Sequence, residues 1–237
     1  MSRALPRVFV PGADLSEPFE LPRSEWEKFH KVLRLGNGDP IAVLPNDGTL
    51  WECRLEGRRA VPVRCTRPEV EPETRVTIAQ ALPKGDRIET VCRMGTEIGV
   101  VRFVLFLADR SVVRWDAEKR QDRIRRLEAI VREAAEQSFR TRLPEIVWCD
   151  SLGRLLDAQP DAIVLSESEA PLPSLARVWR ERRSAGSREA TLVVGPEGGW
   201  SPAELAAIGE RGVTLGPRVL RTDTAGPAAA ARILLDF

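Results

Sequence analysis

From Arg75 onward the chain alternates short apolar runs with amphipathic ones, and this rhythm restricts the possible folds more than any other feature. "RVTIAQAL" reads as a strand, "GDRIETVCRMGTEIG" as a helix and "VVRFVLFL" as a strand again. Asp86 and Glu89 are spaced as a capping box for that helix, and Gly99 as its stop. A long helix is expected near residues 117–140, with Ile124, Leu127, Val131, Ala134 and Ser138 on one face and Pro144 beyond its end. "EIVWC", "DAIVLSE", a basic helix around Leu175 to Arg183, and "ATLVVG" follow. Alternation of this kind predicts a mostly parallel sheet with helices on both faces. Ligands of such sheets sit beyond the carboxyl ends of the strands. Three loops therefore matter: "LSESE" from Leu165, "GPEGGW" after Val194, and "LGPRVLRTDTAG" near the C-terminal end.

The residues before this region read differently. Positions 1 to about 67 are strand-rich, with a hairpin signal at Asn46-Asp47-Gly48 inside "DPIAVLPNDGTLWECRLEG" and a further strand in "RRAVPVRCT". Thr66 to Arg75, with Pro68 and Pro72 among charged residues, reads as a linker. The 237 residues suffice for a small domain followed by a larger one. No apolar run approaches the roughly 20 residues of a membrane span, and the N-terminus lacks a signal peptide's apolar core. The expectation is a cytoplasmic protein with no membrane partner. Cys53, Cys65, Cys92 and Cys149 are scattered, and there is a single histidine, so neither a metal site nor a disulfide framework is expected.

Charge says less. The net charge is only +1, but 32 of the 36 basic residues are arginine, whose planar fork suits phosphate contacts. A compositional bias toward arginine accounts for this equally well. Lys119 to Arg142 holds eight basic residues against four acidic ones, which allows a basic face for nucleic acid.

"TLVVGPEGGWSPAEL" runs from a strand through a glycine loop into a helix opened by Ser201, Pro202 and Glu204. Its spacing matches neither the dinucleotide nor the phosphate-loop pattern, which counts against an oxidoreductase. Glu197 would also repel a phosphate at that helix end. The loop is either a structural turn or a cradle for a ligand that is neutral or positive there. The last segment adds a second glycine loop, Gly216-Pro217, then Arg218, Arg221 and Thr222-Asp223-Thr224. Helix capping would explain the threonines and aspartate but not the two arginines. A helix of alanine, isoleucine and leucine is expected from Pro227, buried in the core or in a subunit interface.

"VVGPEGGWSPAEL" followed by "LGPRVLRTDTA" resembles the C-terminal signature of the SPOUT superfamily, and in particular the RsmE family of 16S ribosomal RNA uridine-N3 methyltransferases. "LPKGDRIETVCRMGTEIGV", "DRSVVR", "REAAEQSFRTRLPEI" and "HKVLRLGNGD" extend the resemblance over nearly the whole chain. It implies a SPOUT-type α/β methyltransferase domain with a trefoil knot over residues 74–237, an exception to the rule against knots. A small PUA-like β-barrel domain that binds RNA would occupy residues 1–68. It further implies S-adenosylmethionine as cofactor, a homodimer, and 16S rRNA of the small ribosomal subunit as substrate. The cofactor carries a sulfonium cation and no phosphate, which is compatible with a glutamate in the loop.

By the same resemblance the cofactor pocket takes Leu165, Ser166, Glu167, Gly195, Glu197, Gly198, Leu215, Gly216, Val219, Leu220 and Thr222. Methylation at N3 requires loss of a weakly acidic N–H, so the uracil anion must be stabilised and held in line. Arg221 and Arg218 are the candidates for that, with Asp223 or Glu133 taking the proton. Glu133, Gln137 and Arg140 are spaced to share a helix face, which is equally the pattern of a solvated surface. RNA contacts are expected from Arg7, Lys31, Arg34 and Arg140, with Arg58 and Arg59 as further candidates. The chain departs from the family pattern at Arg93-Met94, Phe139, Trp200 and Asp223. A related enzyme with another nucleotide target, or a non-catalytic assembly factor, remains compatible with these motifs.

Overall fold

The computed structural model describes residues 5–167 and 171–235. The chain divides into two compact units, Met1–Glu71 with Ala135–Leu143, and Pro72–Ala134 with Pro144–Phe237.

The first unit is built on a five-stranded sheet. Its strands are β1 (Arg7–Phe9), β2 (Phe19–Glu20), β3 (Pro40–Leu44), β4 (Leu50–Glu56) and β5 (Arg59–Thr66), in the order β1-β3-β4-β5-β2. The β3–β4 hairpin turns at the expected place, with Asn46 and Gly48 at φ 70° and 94°, which asparagine and glycine tolerate. A short helix, α1 (Arg23–Glu27), runs into a π-turn at Lys28–Val32, and Phe29 from that turn packs with Val8, Ile41, Val43 and Leu55. The stretch read as a linker is anchored. Glu71 accepts hydrogen bonds from Arg140 Nη2 (2.7 Å) and from the backbone N–H groups of Thr141 (2.8 Å) and Arg142 (3.0 Å).

The second unit carries six parallel strands in the order β11-β9-β10-β6-β7-β8. They are β6 (Arg75–Ala81), β7 (Arg102–Phe106), β8 (Glu145–Cys149), β9 (Ile163–Leu165), β10 (Glu189–Val194) and β11 (Gly212–Val213). The helices are α2 (Arg87–Ile98), α3 (Ala117–Gln137), α4 (Leu152–Ala158), α5 (Leu175–Ser184), α6 (Pro202–Ile208) and α7 (Thr222–Leu234). Successive strand residues point to opposite faces. Ile78, Ile163, Leu192 and Val194 pack with side chains of α2, α3, α5 and α7. Ala79, Val164 and Val193 pack with those of α4 and α6. Both faces are covered, as expected of a parallel sheet.

Several expectations are corrected. Asp86 stands at the N-cap of α2, but its side chain makes no capping bond. Instead Asp86 and Glu89 pair with Arg123 and Arg126 of α3. Helix α3 stops at Gln137, and Phe139 beyond it sits at φ 64°. Helix α4 has no counterpart in the sequence reading. Helix α7 starts at Thr222, with Pro227 inside it, and its Ala225, Ala229, Ala230 and Ile233 are buried. It packs on α2, β10, β6 and α5, so its apolar character is satisfied within the chain. Among the described residues no helix is long and apolar enough to cross a membrane.

Candidate active site

Strands β11, β9 and β10 are neighbours and run in parallel, so the segments after Val213, Leu165 and Val194 leave the sheet side by side at its carboxyl edge. These are the three loops singled out by the sequence, although Ser168 and Glu169 of "LSESE" lie outside the described residues. Side chains lace the loops together. Trp200 Nε1 donates to the Leu165 carbonyl (3.3 Å), a bond that a phenylalanine at this position would not make. The Trp200 ring lies over Gly195, where a Cβ would stand 3.0 Å from it, so a side chain there would have to push the ring back slightly. The Ser166 N–H donates to the Val213 carbonyl (3.0 Å). The Thr214 hydroxyl both donates to the Gly216 carbonyl (3.0 Å) and accepts from its N–H (3.1 Å).

A second tier braces the glycine loop from behind. Glu197 Oε1 accepts from the Lys84 N–H (3.0 Å) and from Arg87 Nη1 (3.0 Å), so it joins the loop after β6 to the loop after β10. Among the described residues its carboxylate accepts no hydrogen bond from its own loop's amides. Arg110 Nη1 donates to the Gly198 carbonyl (3.0 Å), and a Cβ on Gly198 would lie 3.2 Å from Arg110 Cβ. Gly198 is thus small to admit Arg110. Of the loop's glycines only Gly199 takes positive φ, 68°. The capping box of α6 forms as expected between Ser201 and Glu204. Both residues also hold Asp109: the Ser201 hydroxyl donates to Asp109 Oδ2 (2.5 Å), and the Asp109 N–H donates to Glu204 Oε1 (2.9 Å). Lys84, Arg87, Asp109 and Arg110 were not anticipated, because no local sequence pattern signals a partner about a hundred residues away.

The last loop is open. Gly216 has φ 128° with nothing within 4 Å of a built Cβ. Val219 is 74% exposed, while Leu215 and Leu220 pack against the core. Arg218 and Arg221 are exposed and donate no hydrogen bond among the described residues. Just past them, Thr222 Oγ1 and Asp223 Oδ1 are buried without a partner. Gln80 Oε1, on fully buried Gln80 at the end of β6, is likewise unpartnered.

Known proteins are similar to this chain in sequence and fold. Residues 70–234 match the model of the RNA methyltransferase domain family. The ribosomal RNA small subunit methyltransferase E of Bacillus subtilis is 35% identical over 87% of this chain and 86% of its own. The Mycobacterium tuberculosis protein of the same name is 36% identical over 87% of this chain and 83% of its own. This chain belongs to the ribosomal RNA small subunit methyltransferase E family. The crystal structure of such a methyltransferase E from Neisseria gonorrhoeae bound to S-adenosyl methionine superposes with a TM-score of 0.81 at 27% identity, covering 96% of this chain and 95% of that one.

The remaining residues expected at the site or at an RNA surface are placed as follows. Arg140 lies past the end of α3 with its side chain only 4% exposed, and its guanidinium is committed to Glu71. It therefore shares no helix face with Glu133 and Gln137 and presents no charge to RNA. Arg7 is buried as well, stacked 4.1 Å over the Phe139 ring, and burial lowers its pKa while Glu136 opposes the shift. Lys31, paired with Glu27 at 3.4 Å, and Arg34 are exposed. Arg58 pairs with Glu20, and Arg59 is exposed. Glu133 is exposed on α3, and among the described residues no hydrogen bond or ion pair ties it to the carboxyl-edge loops.

Proposed function

We propose that this chain transfers the methyl group of S-adenosylmethionine to N3 of a uridine in 16S ribosomal RNA. The observation that carries the reading is the convergence of three loops at the carboxyl edge. Three braced loops meet there beside two uncommitted arginines and the buried, unpartnered Thr222 Oγ1 and Asp223 Oδ1. Buried polar atoms are normally hydrogen-bonded, so these orphans fit a bound polar ligand. Leu165, Ser166, Glu167, Gly195, Gly198, Leu215, Gly216, Val219, Leu220 and Thr222 would form the cofactor's surroundings, with Glu197 holding the loop's shape from outside. When bound, S-adenosylmethionine supplies an electrophilic methyl group.

The rest of the chemistry falls to this chain's residues. Arg221, with Arg218 beside it, stabilises negative charge on the uracil oxygens as the N3 proton leaves. Asp223 is favoured over Glu133 as the proton acceptor, because its orphaned oxygen sits in the first turn of α7, directly after Arg221. Residues 1–68 are assigned as a PUA-like RNA-binding domain and residues 74–237 as a knotted methyltransferase domain, with Lys31 and Arg34 contacting RNA. The working form is a homodimer in the cytoplasm, acting on the small ribosomal subunit; here the support is family membership.

The test is a methylation assay. The purified chain, S-adenosylmethionine and unmodified small subunits are incubated, and the RNA is digested to nucleosides for mass spectrometry. N3-methyluridine supports the reading; a methyl group on any other nucleoside, or none, refutes it.

A further inference from the structure

With Arg7 and Arg140 buried, any anion on the first unit must be met by other, exposed basic residues. Arg67 follows β5, and Arg142 belongs to the segment that joins this unit after α3; both are exposed. They converge over the β3–β4 turn. The point where a Cβ on Gly48 would stand is 3.1 Å from Arg142 Nη2, 3.3 Å from Arg142 Nε and 3.3 Å from Arg67 Nη1. Gly48 itself is buried beneath them, at φ 94°.

Two guanidinium groups this close repel unless an anion offsets them. One carboxylate is nearby, Asp47, and it interacts with Arg67, so it offsets at most one of the two positive charges. It accepts from the Thr49 hydroxyl (2.6 Å) and N–H (2.8 Å), and the Thr49 hydroxyl, aided by Arg67, holds its pKa below the usual range. Arg142 is positioned from both ends: its N–H donates to Glu71 (3.0 Å) and its Nη2 to the Asp47 carbonyl (2.6 Å), which leaves other guanidinium donors available. Leu143 N–H donates to Asn46 Oδ1 (2.6 Å), tying the segment to the turn. Arg67 donates no hydrogen bond among the described residues.

We propose that Arg67 and Arg142 form a two-arginine clamp for a backbone phosphate of the RNA substrate. The clamp rests on the reading of the chain as a 16S rRNA methyltransferase. A guanidinium fork matches phosphate oxygens, and a phosphate between two forks removes their repulsion. The Gly48 turn provides a floor without a side chain, and the Glu71 and Asn46 bonds fix the backbone beneath Arg142. Such a contact positions RNA without reading its sequence.

The experiment measures binding of the full chain to small ribosomal subunits across a salt series. Arg67→Gln is the primary variant, because Arg67 donates no hydrogen bond among the described residues and its side chain is exposed. Its Kd should rise about tenfold, as expected for a lost charged contact. The slope of log K against log salt should fall by about 0.7–0.9, the equivalent of one phosphate. S-adenosylmethionine affinity should match wild type, and Arg67→Lys should recover the slope but only part of the affinity. Arg154→Gln on α4, paired with Asp150 at 2.7 Å, is the charge-matched control. Should Arg67→Gln keep the wild-type Kd and slope while wild type methylates the subunits, the clamp is wrong and the proposed function stands. An equal effect from Arg154→Gln would also overturn the clamp, as general surface charge. A wild-type chain that neither binds cofactor nor methylates removes both.

Discussion

Arg221 is the residue on which binding and chemistry separate. It is exposed, its side chain donates no hydrogen bond among the described residues, and it caps α7 with backbone only. If it meets charge that develops on uracil, its contribution appears in the transition state. Arg221→Ala should lower single-turnover methylation about 10²–10³-fold with little change in cofactor affinity, and rising pH should restore part of the rate. An equal loss in cofactor affinity would make it a pocket residue instead. Glu197 behaves differently, because its carboxylate ties two loops together and lies only 25% exposed. Glu197→Gln removes a charged acceptor, which costs about 1 kcal/mol at a partly screened site. Calorimetry should show cofactor affinity about fivefold weaker at nearly unchanged melting temperature.

At the scale of elements, helix α2 is positioned by its neighbour more than by its own cap. Asp86 and Glu89 have capping-box spacing, but the cross-helix arginines of α3 hold them. Phe139 shows the converse at the end of α3. A non-glycine residue at φ 64° is strained, and the Arg7 guanidinium stacked on its ring offsets that cost. Packing between α2 and β7 gives a sharp test. A Cβ on Gly95 would stand 2.7 Å from the fully buried Phe103 ring, so something must move. Ala gains about 1 kcal/mol of helix propensity over Gly, but overpacking of this kind costs about 1–3 kcal/mol. The clash prevails, and urea denaturation of Gly95→Ala should give a lower midpoint than wild type.

At the scale of the whole molecule, each unit buries one thiol in its core. Burial pushes the Cys53 thiol from 9.0 to about 12, and burial, with Glu89 adding, raises that of Cys92. The sign follows from proton binding. Above 9.0 the unfolded thiols lose protons that the folded ones keep, so stability is intact below that value and declines as pH climbs toward the folded pKa. The limiting slope is about 1.4 kcal/mol per pH unit for each thiol. No tyrosine competes in this range. Denaturation midpoints should therefore fall in alkaline buffer, and Cys53→Ala should flatten the fall. Assembly is a separate matter, since α7 is covered by its own chain and leaves no uncovered apolar helix to argue from. Light scattering at micromolar concentration should give a dimer's mass; a monomer's mass would end the homodimer proposal.

Periodicity alone determined the parallel sheet, because strand and helix repeats at 2 and 3.6 residues are local properties of the chain. Turn and cap chemistry placed the Asn46–Gly48 hairpin and the Ser201 start of α6 for the same reason. The three carboxyl-edge loops, two of them marked by glycine or arginine, were legible through the rule that parallel sheets present ligand loops there. What the loops do for one another was not legible. That Glu197 clamps Lys84 and Arg87, that Arg110 covers Gly198, and that Arg140 is buried against Glu71 are facts of separation in sequence and proximity in space. A charged residue reads the same along the chain whether it faces solvent or a partner seventy or a hundred positions away. Only folding brings the partner, and the partner decides whether the charge is available to a ligand.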